Sequence, residues 1–349
     1  MGLNQRPCFS YLRRVFHYII IKLLYAPSFM ISRRLASTTA TILLYPRVNP
    51  YNTILSVINP DLKYILVWTK ETADPILHLG AGVKSFVSRK CFDAVVFHGP
   101  EITNFDDLPQ FRSPNQKFIF ASMESARNYL KCNHKYNGYF NWTWTYKLNS
   151  DLYYGYITIK NKFGKVIGPR EDMHWENIKD MKPIDDKIKA ILSHKKNAVA
   201  WFENMTECLR MLEKKYFFYL AFENSLSEDY VTEKILNALQ HYTVPIVYGG
   251  ANYTRFLFNI VLLGIYLNIQ DTTIRKLARN IVDIINDKEK YYNFFKWHNS
   301  YSYHSTIESP ETDPYCKLCA MINNERLMKE KTIYHNFATW WNPYHCPPT

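Results

Sequence analysis

Glycine is scarce, 11 residues in 349, and it falls at no fixed period. That excludes collagen-like and solenoid architectures. No run of like charge reaches five or six residues, so the concentrated basic stripe of a nucleic-acid binder is missing. No uninterrupted apolar stretch reaches the roughly 20 residues of a membrane-spanning helix. Cysteine is limited to 7, an odd number, which leaves at least one thiol free or paired between chains. The one close pair is Cys316-Lys-Leu-Cys319. As a zinc site it lacks a second pair, because His335 and His345 are too far apart. As a redox motif it lacks a strand before it and a helix signal after it. A structural role for Cys316 and Cys319 in an oxidising compartment is the reading that remains.

What is present supports a packed globular protein. Apolar residues make up 47% and charged residues 21%, enough for a core and too few charges for disorder. The length predicts about two domains. Aromatics reach 16%, a level that fills cores and also lines sugar-binding clefts. Lys and Arg exceed Asp and Glu by 43 − 31 = +12, which suits an anionic partner such as a membrane surface or a phosphorylated small molecule.

Residues 15–32 lie between basic flanks ending in Arg14 and starting at Arg33, and they contain Lys22 and Pro27. They read either as an amphipathic tail or as a signal anchor. Three sequons, at Asn141, Asn204 and Asn252, are glycosylation candidates. Residues 1–60 then read as tail, anchor and stem, with Pro46, Pro50 and Pro60 marking the stem.

From Tyr64 onward the pattern turns to short apolar runs: 64–68, Ala94-Val-Val-Phe and 117–121. Runs without polar alternation suit strands buried on both faces of a parallel sheet. The stretch 161–197 is polar and reads as a connector, after which 198–202 starts a second α/β unit. The tail beyond about 290 reads as aromatic and irregular.

The chemistry concentrates in 217–250. Residues 217–222 form a buried strand, 223–229 a polar loop, and Ser225 and Glu228 have capping-box spacing that predicts a helix start there. Val231, Ile235, Ala238 and Leu239 make one apolar face. Tyr230, Glu233, Lys234 and Asn237 make a polar stripe. Residues 243–248 are the next strand, closed by Gly249-Gly250. In such a unit ligands bind beyond the carboxyl ends of the strands, and a helix N-terminus with Lys234 beside it suits a phosphate. A solvated helix face bearing an ion pair is the alternative.

These residues resemble the donor motif of the α-1,3-fucosyltransferases, glycosyltransferase family 10. The match is carried by Phe218-Tyr-Leu-Ala-Phe-Glu-Asn-Ser225, Glu228-Asp-Tyr-Val-Thr-Glu-Lys234 and Val244-Pro-Ile-Val-Tyr-Gly-Gly-Ala-Asn-Tyr253. Met123-Glu-Ser125, Tyr139-Phe-Asn-Trp-Thr143, Ser150-Asp151 with Tyr154-Gly155, Ala200-Trp-Phe202 and Cys316-x-x-Cys319 agree in order, so the resemblance runs from about 64 to 346. It implies an α/β, GT-B-like fold: two Rossmann-like domains facing a cleft, an acceptor-side domain at 61–185 and a GDP-fucose-binding domain at 186–349. It implies donor contacts from Glu223, Asn224, Tyr230, Glu233 and Lys234, a catalytic base at Glu124, and Ser150, Asp151 and Tyr154 on the acceptor side. It further implies an inverting transfer to a GlcNAc-containing glycan of glycoproteins. No metal and no cofactor are expected beyond the donor substrate, since the chain has no Asp-x-Asp pair. The family's members are single-pass type II proteins of the Golgi membrane with a lumenal catalytic part, which favours the anchor reading of 15–32.

The sequence departs from the family between 203 and 217. A Ser-Asn-Cys stretch with a donor-contacting Arg is missing, and the chain passes almost directly from Phe202 to the next strand. A βαβ unit takes about 30 residues. At most a short helix through 206–214 fits, so the C-terminal domain is shortened. Three functional readings follow: an active fucosyltransferase, a degenerate relative that binds nucleotide or glycan with little or no turnover, and a basic membrane-surface protein with no enzymatic role.

Overall fold

The computed structural model describes residues 63, 65–68, 92–110, 112–202, 206–258, 271–343 and 346. The expected anchor, the stem and the Asn204 sequon lie outside the described residues. No helix among the described residues is long and apolar enough to cross a membrane. The chain forms two compact units: 63–155 with 306–346, and 156–305.

The first unit is built on five parallel strands in sequential order: β1 (Ile65–Val67), β2 (Ala94–His98), β3 (Lys117–Ser122), β4 (Trp142–Thr145) and β5 (Leu152–Tyr153). β3 is buried at every position, as its unbroken apolar run predicts. Successive side chains face opposite sides of a strand.

The second unit begins with β6 (Ile157–Asn161) and β7 (Val166–Gly168), an antiparallel hairpin. Helix α1 (Asp186–Ser193) follows, started by Asp185, whose carboxylate accepts from the Ile188 N–H. Then come β8 (Asn197–Ala200), α2 (Thr206–Lys215), β9 (Tyr216–Phe222), α3 (Glu233–Gln240) and β10 (Val244–Tyr248). β8, β9 and β10 form a parallel sheet with β9 in the middle. Helices α4 (Asp271–Asn286) and α5 (Lys288–Asn293) lead to β11 (Tyr301–Ser305), which pairs antiparallel with β6. Ile188, Leu192, Phe218, Val244, Ile246, Ile281, Ile284 and Tyr291 share one core on the parallel sheet.

The chain then returns to the first unit as α6 (Pro314–Asn323), α7 (Glu325–Lys329) and α8 (Phe337–Trp341). The alternation of β2, β3 and β4 decides what these helices cover. Val96, Ile119, Ala121, Trp142 and Trp144 pack with Leu318 and Ile322 of α6. On the opposite side Phe120 meets Phe337 and Trp341 of α8, each ring pair 4.8 Å apart.

The division differs from the expected boundary at 185/186 in two ways. The connector at 161–197 contains β7 and α1, and β6 finds its partner in β11, far along the chain. The tail is ordered against the first sheet. Asn141 Nδ2 donates to Thr332 O, the Gly138 N–H to Tyr334 O, Lys147 Nζ to Trp340 O and Trp341 Nε1 to Tyr129 O, all at 2.7–3.0 Å. A disulfide joins Cys132 to Cys346. Cys316 and Cys319, expected as structural cysteines, sit half-buried one turn apart on α6 as free thiols. The bridge that holds this tail is Cys132–Cys346.

Lys195 is buried between α1 and β8. Its ammonium donates to Tyr216 O at 2.7 Å, Thr243 Oγ1 at 3.2 Å and Leu212 O at 3.4 Å, tying α2, β9 and β10 together. All three acceptors are neutral. Burial pulls the group down to about 7, against a weaker opposing pull from Glu213. In the unfolded chain it titrates near its ordinary value of about 10.4. Between these values the unfolded chain binds the proton and the native one does not, so this group makes stability rise with pH from about 7 to about 10. Urea unfolding of the parent and of Lys195→Met across that range checks this. The parent should show an extra slope approaching about 1.4 kcal/mol per pH unit. Parallel curves would contradict it.

Candidate functional site

β9 and β10 run parallel in register, Phe222 beside Tyr248, so their carboxyl ends are adjacent. Glu223 is the first residue beyond β9. Its N–H donates to Tyr248 O at 2.8 Å, which fixes it against the end of β10. Its side chain is fully buried. A buried carboxylate needs donors, and the loop that follows supplies them. The Thr232 N–H donates to Oε1 at 2.9 Å and the Thr232 hydroxyl to Oε2 at 2.7 Å. Lys234 Nζ donates to Thr232 Oγ1 at 2.9 Å and lies 3.4 Å from both Glu223 Oε2 and Glu233 Oε1. Burial pushes the Glu223 carboxyl up, against the pull of Lys234 and the Thr232 bonds. Burial works against the charge on Lys234 too, but the two carboxylates outweigh it and hold the ammonium above its ordinary range.

Helix α3 therefore starts at Glu233, with Thr232 as its N-cap, and not at Ser225. This corrects the capping-box expectation. Ser225 and Glu228 lie in the loop, where Ser225 is buried and Glu228 exposed. Thr232 spends its hydroxyl on Glu223 and makes no side-chain cap to the first turn. The apolar face is as expected: Val231, Ile235, Ala238 and Leu239 are buried. The polar stripe is not intact. Tyr230 lies before the helix and is 2% exposed, whereas Glu233, Lys234 and Asn237 are half-buried. Of the five residues expected at the donor, Asn224 is exposed, Glu233 and Lys234 are half-buried, and Glu223 and Tyr230 are buried, with Glu223 bonded to Lys234. An ammonium beside an uncapped helix start is an arrangement that takes a phosphate.

In the first unit Glu124 stands two residues beyond β3, half-buried in a turn. The Ser122 hydroxyl accepts from the Glu124 N–H and donates to Glu124 O. The Ala126 N–H donates to the Tyr146 hydroxyl at 2.9 Å, so the turn is held on its far side as well. Burial and the Glu124 carboxylate both raise the Tyr129 hydroxyl. That neighbour carried no sequence signal.

The residues expected on the acceptor side have local duties. Asp151 Oδ2 accepts from the Thr143 N–H and from the hydroxyls of Thr143 and Tyr334. Ser150 and Thr145 share a 2.6 Å hydrogen bond. Tyr154 stacks on Trp144 and bonds the Tyr315 hydroxyl. Asn141 is buried, with Oδ1 accepting from the Phe118 N–H and Arg112, and Nδ2 bonded to Thr332 O. Asn252 is exposed. Among the described residues no three His, Cys, Asp or Glu side chains gather as a cation site.

Two family models match the chain: "Fucosyltransferase, N-terminal" over residues 61–157 and "Glycosyltransferase family 10 (fucosyltransferase) C-term" over 175–341. An Alpha-(1,3)-fucosyltransferase C of Drosophila melanogaster is 28% identical over 72% of this chain and 65% of its own length, just under two thirds. A 4-galactosyl-N-acetylglucosaminide 3-alpha-L-fucosyltransferase of Gorilla gorilla gorilla is 30% identical over 71% of this chain and 69% of its own. A crystal structure of an alpha1,3-fucosyltransferase with GDP-fucose aligns with a TM-score of 0.39 at 14% identity, over 78% of this chain and 92% of that one.

The buried carboxylate gives a direct test. Glu223→Gln keeps the size and one acceptor but removes the charge that Lys234 and Thr232 share. A charge-assisted hydrogen bond contributes about 1.5–3 kcal/mol, and urea denaturation should show a loss of that size. An unchanged midpoint would mean that Glu223 does not organise the loop.

Proposed function

Because the chain belongs to glycosyltransferase family 10, the fucosyltransferase family, we propose that it transfers fucose from GDP-fucose in α-1,3 linkage to a GlcNAc-containing glycan of glycoproteins. The observation that carries this reading is the Lys234–Thr232–Glu223 assembly at the carboxyl ends of β9 and β10. It lies inside the matched segment and offers a fixed positive charge to a diphosphate.

In the proposed reaction the acceptor hydroxyl oxygen forms a bond to the anomeric carbon of fucose while the bond from that carbon to GDP breaks, with inversion. The hydroxyl proton goes to the Glu124 carboxylate, a general base. The electron pair of the broken bond leaves on GDP, and Lys234 with the α3 N-terminus stabilises the charge that develops there. This scheme uses no metal ion. Asn224 and Glu233, which reach the surface beside Lys234, are suited to sugar hydroxyls. Glu223 and Tyr230 act from beneath. The N-terminal segment would hold the protein in the Golgi membrane as a single-pass type II protein with its catalytic part in the lumen.

A specific observation favours a second reading. Among the described residues the parallel sheet of the second unit has three strands, and β8 passes through the short helix α2 straight to its neighbour β9. A donor domain so shortened supports weak turnover, or binding without turnover. Product formation from GDP-fucose by the 349-residue chain separates the two, and GDP binding without product identifies the second.

Two variants divide the roles. Lys234→Ala should raise the dissociation constant for GDP by roughly 10- to 100-fold, the equivalent of one charge-assisted contact. Parent affinity in the folded variant, measured by calorimetry, rules the role out. Glu124→Gln should leave GDP affinity unchanged and cut turnover by roughly 10²–10⁴. If turnover in a transfer assay stays within a few-fold of the parent, the base is another group.

A further inference from the structure

The strand-end loop 223–232 contains a second buried carboxylate. Asp229 has φ 57°, in the left-handed region that non-glycine residues seldom occupy, and its side chain is 1% exposed. Arg255 Nη1 donates to Asp229 Oδ1 at 3.1 Å. Arg255 closes the 3₁₀ turn Tyr253–Arg255 that follows β10, and its own side chain is mostly covered, 24% exposed. That turn is itself anchored. Asn252 Oδ1 accepts from the Thr254 N–H and hydroxyl, and Trp175 Nε1 donates to Thr254 O. Between the two segments the backbones almost touch: a Cβ on Gly250 would stand 2.6 Å from Ser227 N.

We propose that Arg255 is a positioning residue for the nucleotide site. Its ion pair holds Asp229 at the backbone reversal, and that reversal sets where Thr232 and Lys234 stand. The chain turns at Asp229, buries Tyr230 and Val231, and enters α3 four residues later, at Glu233. Glu223 fixes the helix end of the loop and Arg255 fixes its turn, so Lys234 is aimed from two sides. A left-handed residue released from its partner relaxes toward the commoner backbone regions, and the first turn of α3 moves with it. The inference rests on the reading that this end of the sheet binds GDP-fucose.

The experiment compares Arg255→Met, Arg255→Lys, Asp229→Asn and the double variant Arg255→Met/Asp229→Asn. Asn tolerates the left-handed backbone but lacks the charge. GDP affinity is read by calorimetry, donor and acceptor KM by transfer assay where turnover permits, and folding by melting temperature. Arg255→Met and Asp229→Asn should each raise the GDP dissociation constant about tenfold, and the double variant no further, because the two act as one unit. Arg255→Lys should recover most of the affinity. Acceptor KM should not move. Parent GDP affinity in the folded variants, with only the melting temperature lowered, overturns the inference and leaves the proposed function standing. Additive losses in the double variant overturn it too. If Arg255→Met does not fold, Asp229→Asn and Arg255→Lys decide it. Failure of the parent chain to bind GDP overturns both.

Discussion

The second unit is organised around a carboxylate cut off from water. Glu223 follows directly on β9, and its N–H is bonded to the end of β10, so its position is set by the sheet. Burial makes its charge costly unless donors come to it. They come from Thr232 and Lys234, which obliges residues 224–231 to fold back over the strand ends before α3 can begin. The close approach of Gly250 to Ser227 and the reversal at Asp229 are consequences of that return. The same bonds that satisfy the buried carboxylate hold Lys234 charged at the first turn of α3. Folding and the placement of Lys234 thus depend on one group, and Glu223 serves the site without standing at its surface.

The first unit answers a different constraint. Five parallel strands in sequential order leave two apolar faces that both need cover. The C-terminal segment supplies part of it on each side, α6 over Trp142 and Trp144 and α8 over Phe120. Helix α8 is five residues long and would not persist alone. It is held because its surroundings bond its backbone, Lys147 donating to Trp340 O and the Asn137 side chain accepting from the Ala338 N–H, while just beyond it the Asn342 side chain accepts from the Lys131 N–H. Lysines that a composition count assigns to a basic surface are used here as buried donors. Lys131 bonds Ile102 O, Lys117 bonds Glu330 O, and burial lowers both ammonium groups below their ordinary range.

These two constraints explain what could be read from the sequence. Runs such as 94–98 and 117–122 were legible because a strand buried on both faces shows no alternation, and short apolar runs bounded by turns have few other solutions. Helix α2 was legible from chain length alone. The apolar face of α3 was legible from its 3.6-residue period, but its start was not. Ser225 and Glu228 have the spacing of a cap, and only the burial of Glu223, a tertiary fact, moves the start to Thr232. The pairing of β11 with β6 was illegible because the two segments lie more than a hundred residues apart. The tail looked irregular because its partners are side chains and carbonyls of another part of the chain. In the candidate site, motif and period point to Glu233 and Lys234 and the strand end points to Asn224, whereas Arg255 carried no signal at all: its partner Asp229 is a neighbour only once β9 and β10 lie side by side.

The shortened sheet limits the second unit in a definite way. Among the described residues β8 pairs only with β9, so it is an edge strand, four residues long, with Ala198 exposed and Trp201 beyond it 49% exposed. An edge that short offers little to pair with, and the sheet can end there without a further strand. None of the charged groups of the site depends on that edge. Glu223, Asp229 and Lys234 follow β9, Arg255 follows β10, and those two strands match over five consecutive residues. The short connection from β8 to β9 therefore leaves these charges in place. On the proposed reading, a diphosphate would meet the groups that follow β9 and β10 and would find no strand on the far side of β8 among the described residues. On that reading, recognition of the donor is kept more readily than rate, since recognition follows from charges fixed on two strand ends, while turnover needs the whole donor held within fractions of an ångström.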